Sequence, residues 1–499
     1  MSGFLKNIMK RFIHQPGSDH PIHVRVIKMI RRNGNKFSVK DVFTFDEYST
    51  YYPFLYHWLL SFFFFKTAIN NPHLIQWAIN LLKLIFFNTF LYSIKLHYSF
   101  DVLDCFLLNL VYLTFPFSYT FWNAKNTGLS ARGLGLMFGQ IYVYFLYHYL
   151  LGNSDLLFFF LIVSSLLVIL SSMMALQFIT LSAPLISITF NEPEIFLIPL
   201  ISYLLFFILF NQLAKNHFIG VLNYYKNYSK YYAKIFIFKH RPNIYRDFIK
   251  DFWIQLTNQK ITTINKIKYI FLNPLIELIH GFPYLTIVIC VLVAKGGDYG
   301  LIETKLIASV LFVFFLTTLN PLRFLGEPQR YIEFIIPIIA VFFVVKTTPT
   351  IQFFTASVLF IFIMLISFFT KNKKEGKLDI QLLLDYLDHN FNDQDLLISN
   401  DQDLLKNSTS ILNILTTDTS KFIESKSEQL FFNKSYYGCL SPELLIHFSQ
   451  KYKPKVLILN KIMYSDEEMH QVLSKINCNK IIKHNDYLLY IIEYNTEID

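Results

Sequence analysis

About ten stretches of this chain are mostly apolar for close to the length that crosses a bilayer. They lie at 73–95, 101–119, 133–151, 155–171, 173–190, 195–213, 275–294, 303–320, 332–346 and 351–370. A hydrocarbon core about 30 Å thick takes roughly 20 residues of helix. Inside it every backbone N–H and C=O must bond within its own segment, so spans of this kind fold as helices. An eleventh run, at 51–66, is short for a span and reads as an interfacial helix or a lead-in to one. The pattern predicts a polytopic α-helical membrane protein of about 10–11 spans. Charge content agrees: 16% of residues are charged and 53% hydrophobic, where a soluble chain carries about 25% charged.

The polar segments divide the chain. Residues 1–50 are polar and basic with no span, 51–370 hold the spans, and a polar loop at 214–270 carries eleven Lys or Arg against Asp247 and Asp251. Composition changes abruptly after Lys371, so 371–499 is expected to be a soluble α/β domain. There 393–400 and 455–461 read as buried strands, and 442–452 and 466–476 as amphipathic helices. Residues 480–494 read as a hairpin turning at Asn485-Asp486. The net charge of +10 sits in loops. In a membrane protein it points to anionic lipid headgroups and phosphate-bearing substrates rather than nucleic acid. Four scattered cysteines show no metal-ligand spacing.

Three loops carry groups that could do chemistry. The first is GSDHPIHVR at 17–25, with Asp19, His20, His23 and Arg25, followed by Asp46-Glu47 and then YYPFLYHWLL at 51–60. A carboxylate, two imidazoles and an arginine within seven residues make an acid/base and phosphate-binding set; an ordinary charged juxtamembrane segment would look the same. If the stretch is helical, Asp19 and His23 share a face. The second is NAKNTGLSARGLG at 123–135, where Arg132 opens a helix with two glycines in its first turn. On its own it reads as a tight turn with a snorkelling arginine. The third is LGEPQRY at 325–331, with Glu327, Arg330 and Tyr331, Pro328 at a helix start and Glu333 one turn on. Glu327 and Arg330 fit a local ion pair or a phosphate clamp equally.

In their order these loops resemble the C-type (GT-C) superfamily of membrane glycosyltransferases, which take a sugar from a polyprenyl-phosphate or polyprenyl-diphosphate lipid. The similar elements are GSDHPIHVR, FDEY and YYPFLYHWLL, then Pro116 and SARG at 130–133, then Glu327, Arg330-Tyr331 and Pro337. The final strand-like segments, KYKPKVLILNK and HNDYLLYIIEY, look like the small α/β domains that close some of these enzymes. The resemblance implies a GT-C-like fold and transfer of a sugar to a glycan, lipid or protein acceptor. It implies Asp19 as catalytic base, with Asp46 or Glu47 positioning the acceptor or holding a divalent metal (Mg or Mn) if one is used. Arg132 and Arg330 would neutralise the leaving lipid phosphate, and His20 and His23 would contact phosphate or orient Asp19. Arg25, Glu327 and Tyr331 complete the implied substrate-binding set.

That family's arrangement, in a bacterial cytoplasmic membrane, places 1–50, 121–132, 214–270, 321–331 and the C-terminal domain outside. Their Lys and Arg content argues for the opposite side by the positive-inside rule. The family arrangement brings the three loops to one face; the charge rule leaves the other topology open. The competing functions are a polysaccharide polymerase or ligase and a lipid-linked-oligosaccharide flippase or other transporter. A transporter should carry mid-membrane charges and internal repeats, whereas the charges here are expected at span boundaries.

Overall fold

The computed structural model describes residues 20–32, 34, 54–115, 129–152, 154–227, 274–295, 301–319, 322, 325, 328–369, 378–391, 395–401, 404, 413–414, 442–461, 463–476, 478–484 and 487–492. Three short helices come first: α1 (His20–Arg32), α2 (Leu55–Phe62) and α3 (Phe65–Asn70). The apolar run at 51–66 is therefore not one span. It breaks at Phe63-Phe64 and leaves Phe62, Phe63 and Phe64 exposed, and helices this short suit an interface rather than a crossing. α1 buries His23, Val24, Ile27 and Ile30, a stripe at helical spacing, against α2.

The long apolar runs form α4 (Pro72–Tyr98), α5 (Val102–Leu113), α6 (Ala131–Gly152), α7 (Asp155–Ser171), α8 (Met173–Phe190) and α9 (Glu194–Asn227). The span expected at 195–213 continues as helix to Asn227, so the basic stretch after 214 starts as helix and not as loop. Phe210, at φ −132° and ψ 38°, bends α9 between its halves. Beyond the bend Phe218, Ile219 and Leu222 remain exposed, which gives the basic segment an apolar side of its own. Next come α10 (Pro274–Gly281) and α11 (Pro283–Lys295). They divide one expected span at Phe282, because the residue before a proline is pushed out of helical geometry. α12 (Ile302–Thr318), α13 (Gln329–Ile332), a 3-10 turn at Glu333–Ile335, α14 (Ile336–Lys346) and α15 (Pro349–Phe369) complete the bundle.

Four of these helices, α4, α6, α8 and α9 as far as Ile219, are long and apolar enough to cross a membrane. Their outward sides expose Leu81, Ile85, Leu204 and Ile208. A water-soluble bundle would bury such side chains; here lipid covers them. The chain is an integral membrane protein.

α4 and α6 run parallel, from Gln76 beside Ser130 at one end to Ser93 beside His148 at the other. Between these points Phe90 stacks on Tyr144 with ring centroids 4.5 Å apart. At the far end Tyr98 and Tyr147 both donate to the buried carboxylate of Glu303, which ties α12 to α4 and α6. The near end holds the start of α4, the start of α6 and the 3-10 turn before α14. Gln352 at the start of α15 donates to Val344 and Thr347 carbonyls, so α15 turns straight back from the end of α14. That alternation returns the chain toward the near end before the C-terminal domain begins.

The C-terminal domain is mixed α/β. It contains α16 (Leu378–Asn390), β1 (Leu396–Ser399), β2 (Asn413–Ile414), α17 (Pro442–Tyr452), β3 (Val456–Asn460), α18 (Asp466–Lys475), β4 (Cys478–His484) and β5 (Tyr487–Ile492). The sheet order is β2-β1-β3-β5-β4. β1 is parallel to β2 and β3, while β5 runs antiparallel to β3 and β4. Every residue of β1 and β3 is buried, as continuous apolar strands covered on both faces require. The expected hairpin is present, with His484 paired to Tyr487.

Candidate functional site at the near end of the bundle

Ser130 starts the site. Its Oγ accepts the Arg132 backbone N–H at 3.2 Å and caps the first turn of α6. Two side chains hold the backbone just before it. Tyr56 of α2 accepts the Ser130 N–H on its hydroxyl at 3.1 Å, and His20 of α1 accepts the Leu129 N–H on Nδ1 at 3.1 Å. Accepting there requires an unprotonated Nδ1, and burial pushes the His20 imidazole down to about 4. His23 and His57 share a buried hydrogen bond of 2.7 Å between Nδ1 and Nε2. Arg31 donates to the Ser61 carbonyl at 3.3 Å and lies 4.2 Å over the Phe65 ring. The helix carrying the histidines is thereby fixed onto α2, α3 and the start of α6.

The two glycines in the first turn of α6 have a packing reason. A Cβ on Gly133 would lie 2.7 Å from Gln76 Oε1, and one on Gly135 would lie 2.0 Å from Ser172 Cβ. α6 therefore sits with its backbone against α4 and the α7–α8 junction. This close approach places Arg132 over the 3-10 turn. Its Nη2 donates to both carboxylate oxygens of Glu333, at 2.9 and 3.1 Å. The two side chains are 18% and 7% exposed. Arg132 is thus an ion-pair partner inside the bundle and not a snorkelling turn residue.

The turn that carries Glu333 follows from Pro337. A proline in the first turn of α14 has no N–H to give to the preceding turn, and the backbone tightens to 3-10 geometry before it. Gln140 of α6 takes up the freed Glu333 carbonyl at 3.2 Å and accepts from the Tyr112 hydroxyl at 2.9 Å. Lys83 of α4, 2% exposed, acts electrostatically on the same Glu333 carboxylate. Tyr331 is fully buried, and its hydroxyl reaches Gln177 Oε1 at 3.4 Å; Gln177 in turn donates to Tyr225 of the bent half of α9 at 2.6 Å. Arg330 is half-buried beside Tyr331.

Of the residues singled out from the sequence, the structure brings His20, His23, Arg25 and Arg132 to one end of the bundle, and Arg330 and Tyr331 to the helix that leads into Glu333. Arg25 is buried on α1. Asp19, Asp46, Glu47 and Glu327 lie outside the described residues. Among the described residues, no group of three or more His, Cys, Asp or Glu side chains is placed to hold a metal ion. Sequence reasoning noticed Glu333 only as a neighbour of Arg330, and it missed Lys83. The signal for Lys83 was present: one lysine in the middle of the 73–95 run, where a cation needs a partner. The expectation that charges keep to span boundaries fails at this residue.

No protein-family model matches the chain, and no curated protein matches it. Among solved structures the chain is similar to the crystal structure of ArnT from Cupriavidus metallidurans in the apo state. Sequence identity is 10%, with 98% of this chain and 96% of that chain covered, at a TM-score of 0.42. A likeness this loose carries no residue roles to the present chain.

Proposed function

We propose that the chain is a membrane glycosyltransferase that moves a sugar from a polyprenyl-phosphate-linked donor onto a glycan, lipid or protein acceptor. The observation that carries this reading is the buried set Lys83, Arg132 and Glu333. Two cationic side chains gathered on one buried carboxylate, in low dielectric, suit the head of an anionic ligand. A lipid-linked sugar phosphodiester carries one negative charge and an apolar tail, so its head would lie against these side chains while its tail stays in lipid.

The chemistry follows from the charge change. When the acceptor hydroxyl attacks the anomeric carbon, the bond from that carbon to the phosphate oxygen breaks. The leaving phosphate monoester then carries more negative charge than the donor did. Lys83 and Arg132 would stabilise that developing charge more than the ground state, which is the condition for lowering the barrier. Glu333 would hold both cations in place. Asp19, next to the first residue of α1, would take the acceptor proton, with Asp46 or Glu47 positioning the acceptor; Arg330 would assist at the phosphate. On this reading the near end faces outside.

A buried mid-span lysine is also a mark of transporters. Lys83, however, acts on the carboxylate that Arg132 holds at the start of a helix, and this favours a site at the bundle end over a path through it. Binding of undecaprenyl phosphate to the purified chain tests the reading. The wild type should bind it, and Lys83→Met and Arg132→Met should each weaken binding about tenfold or more, the worth of one lost charge-assisted contact. Equal binding by all three proteins would remove the phosphate from this site.

A further inference from the structure

The α4 stripe that ends at Lys83 carries two more polar side chains, Gln76 and Asn80, at helical spacing i, i+4 and i+7. All three are almost fully buried within an apolar helix. The amide of Gln76 has a fixed orientation: Nε2 donates to the Ser130 carbonyl at 3.1 Å, and a carbonyl oxygen can only accept. Oε1 therefore points away from that bond, and among the described residues it has no hydrogen-bond partner. Asn80 is 2% exposed, and neither Oδ1 nor Nδ2 is bonded to any described residue. A buried unsatisfied amide is costly, and a ligand or a bound water completes it.

We infer that Gln76 and Asn80 are specificity-determining residues that recognise the sugar ring of the donor; this rests on the glycosyltransferase reading. The open groups are two acceptors, Gln76 Oε1 and Asn80 Oδ1, and one donor, Asn80 Nδ2. A bare phosphate offers only acceptors and would be repelled by both oxygens. A neutral ring with hydroxyl or amino substituents supplies donors and acceptors together. The stripe rises about 6 Å from Gln76 to Asn80 and a further 4.5 Å to Lys83 at 1.5 Å per residue. A monosaccharide ring beside a phosphate at Lys83 spans a comparable length.

The test compares undecaprenyl phosphate with undecaprenyl phosphate bearing glucose, galactose, mannose or N-acetylglucosamine, for the wild type and Asn80→Leu in detergent. In the wild type at least one sugar-bearing lipid should bind more tightly than the bare carrier. Asn80→Leu should lose that gain, keep its affinity for the bare carrier and show a higher Tm, because an unsatisfied amide has left a dry site. A merely structural asparagine would give the reverse: a lower Tm with the sugar-dependent gain intact. That result, or a wild type to which none of the four sugars adds affinity, overturns the sugar assignment while leaving the phosphate site standing. A wild type that binds neither the bare carrier nor any sugar-bearing lipid overturns both readings.

Discussion

Arg132 places a single guanidinium nitrogen 2.9 and 3.1 Å from the two carboxylate oxygens of Glu333, joining residues 201 positions apart. The pair ties the start of α6 to the 3-10 turn before α14, and Lys83 of α4 acts electrostatically on the same carboxylate. Charges from three chain-distant elements thereby meet inside the bundle.

The sharing makes the two partners unequal. Arg132→Met leaves Glu333 with Lys83, whereas Glu333→Leu leaves two buried cations without their carboxylate. Removing one partner of a buried pair costs about 3–5 kcal/mol when the other charge is stranded. Glu333→Leu should therefore lower the Tm of the detergent-purified protein clearly more than Arg132→Met. Equal losses would mean that Lys83 does not lean on Glu333.

His20 predicts a pH dependence of stability. Its folded pKa, about 4, lies below the unfolded value near 6.5. The folded state therefore binds fewer protons between these values, and stability falls as pH drops from about 6.5 to about 4. Protonation also breaks the bond from the Leu129 N–H to Nδ1. A Tm series across this window should fall for the wild type and fall less for His20→Gln. Identical slopes would show that His20 is not the group responsible.

Asp19→Asn should abolish sugar transfer while the protein remains folded and inserted, because an amide cannot take the acceptor proton. Transfer at the parent rate would end the assignment of Asp19 as base. Arg330→Ala should act differently, weakening use of the lipid donor without abolishing transfer.

Paired reporters fused after Lys377, one active only outside and one only inside, should report the outside. The structure returns α15 toward the end that carries Arg132 and Glu333, so the reporter reads the side of the site as well. An inside signal would turn that end to the cytoplasm and favour the topology set by the Lys and Arg residues of 214–270.

The sequence yielded the elements more readily than the site. α7 and α8 fall on the expected residues because their apolar runs are uninterrupted; β1 and β3 are short continuous apolar runs, and α17 an amphipathic one, between polar flanks. α9 and the α10–α11 pair depart from expectation for local reasons. A non-helical Phe210 lets a helix bend and continue into basic sequence, and Pro283 breaks an apolar run that hydropathy reads as continuous. In the site, Arg132 was legible as a cation beside two glycines, but its partner was not. No local pattern links position 132 to 333, and Lys83 is one polar residue among many apolar ones. Such pairings belong to the tertiary fold.

The most direct measurement is the lipid-linked sugar pool of native cells with and without this chain, read by mass spectrometry of extracted polyprenyl phosphates. Cells lacking the chain should accumulate an unspent polyprenyl-phosphate sugar. Reintroducing the wild type should clear it, and neither Asp19→Asn nor Lys83→Met should do so. An unchanged pool in cells lacking the chain would contradict the glycosyltransferase account.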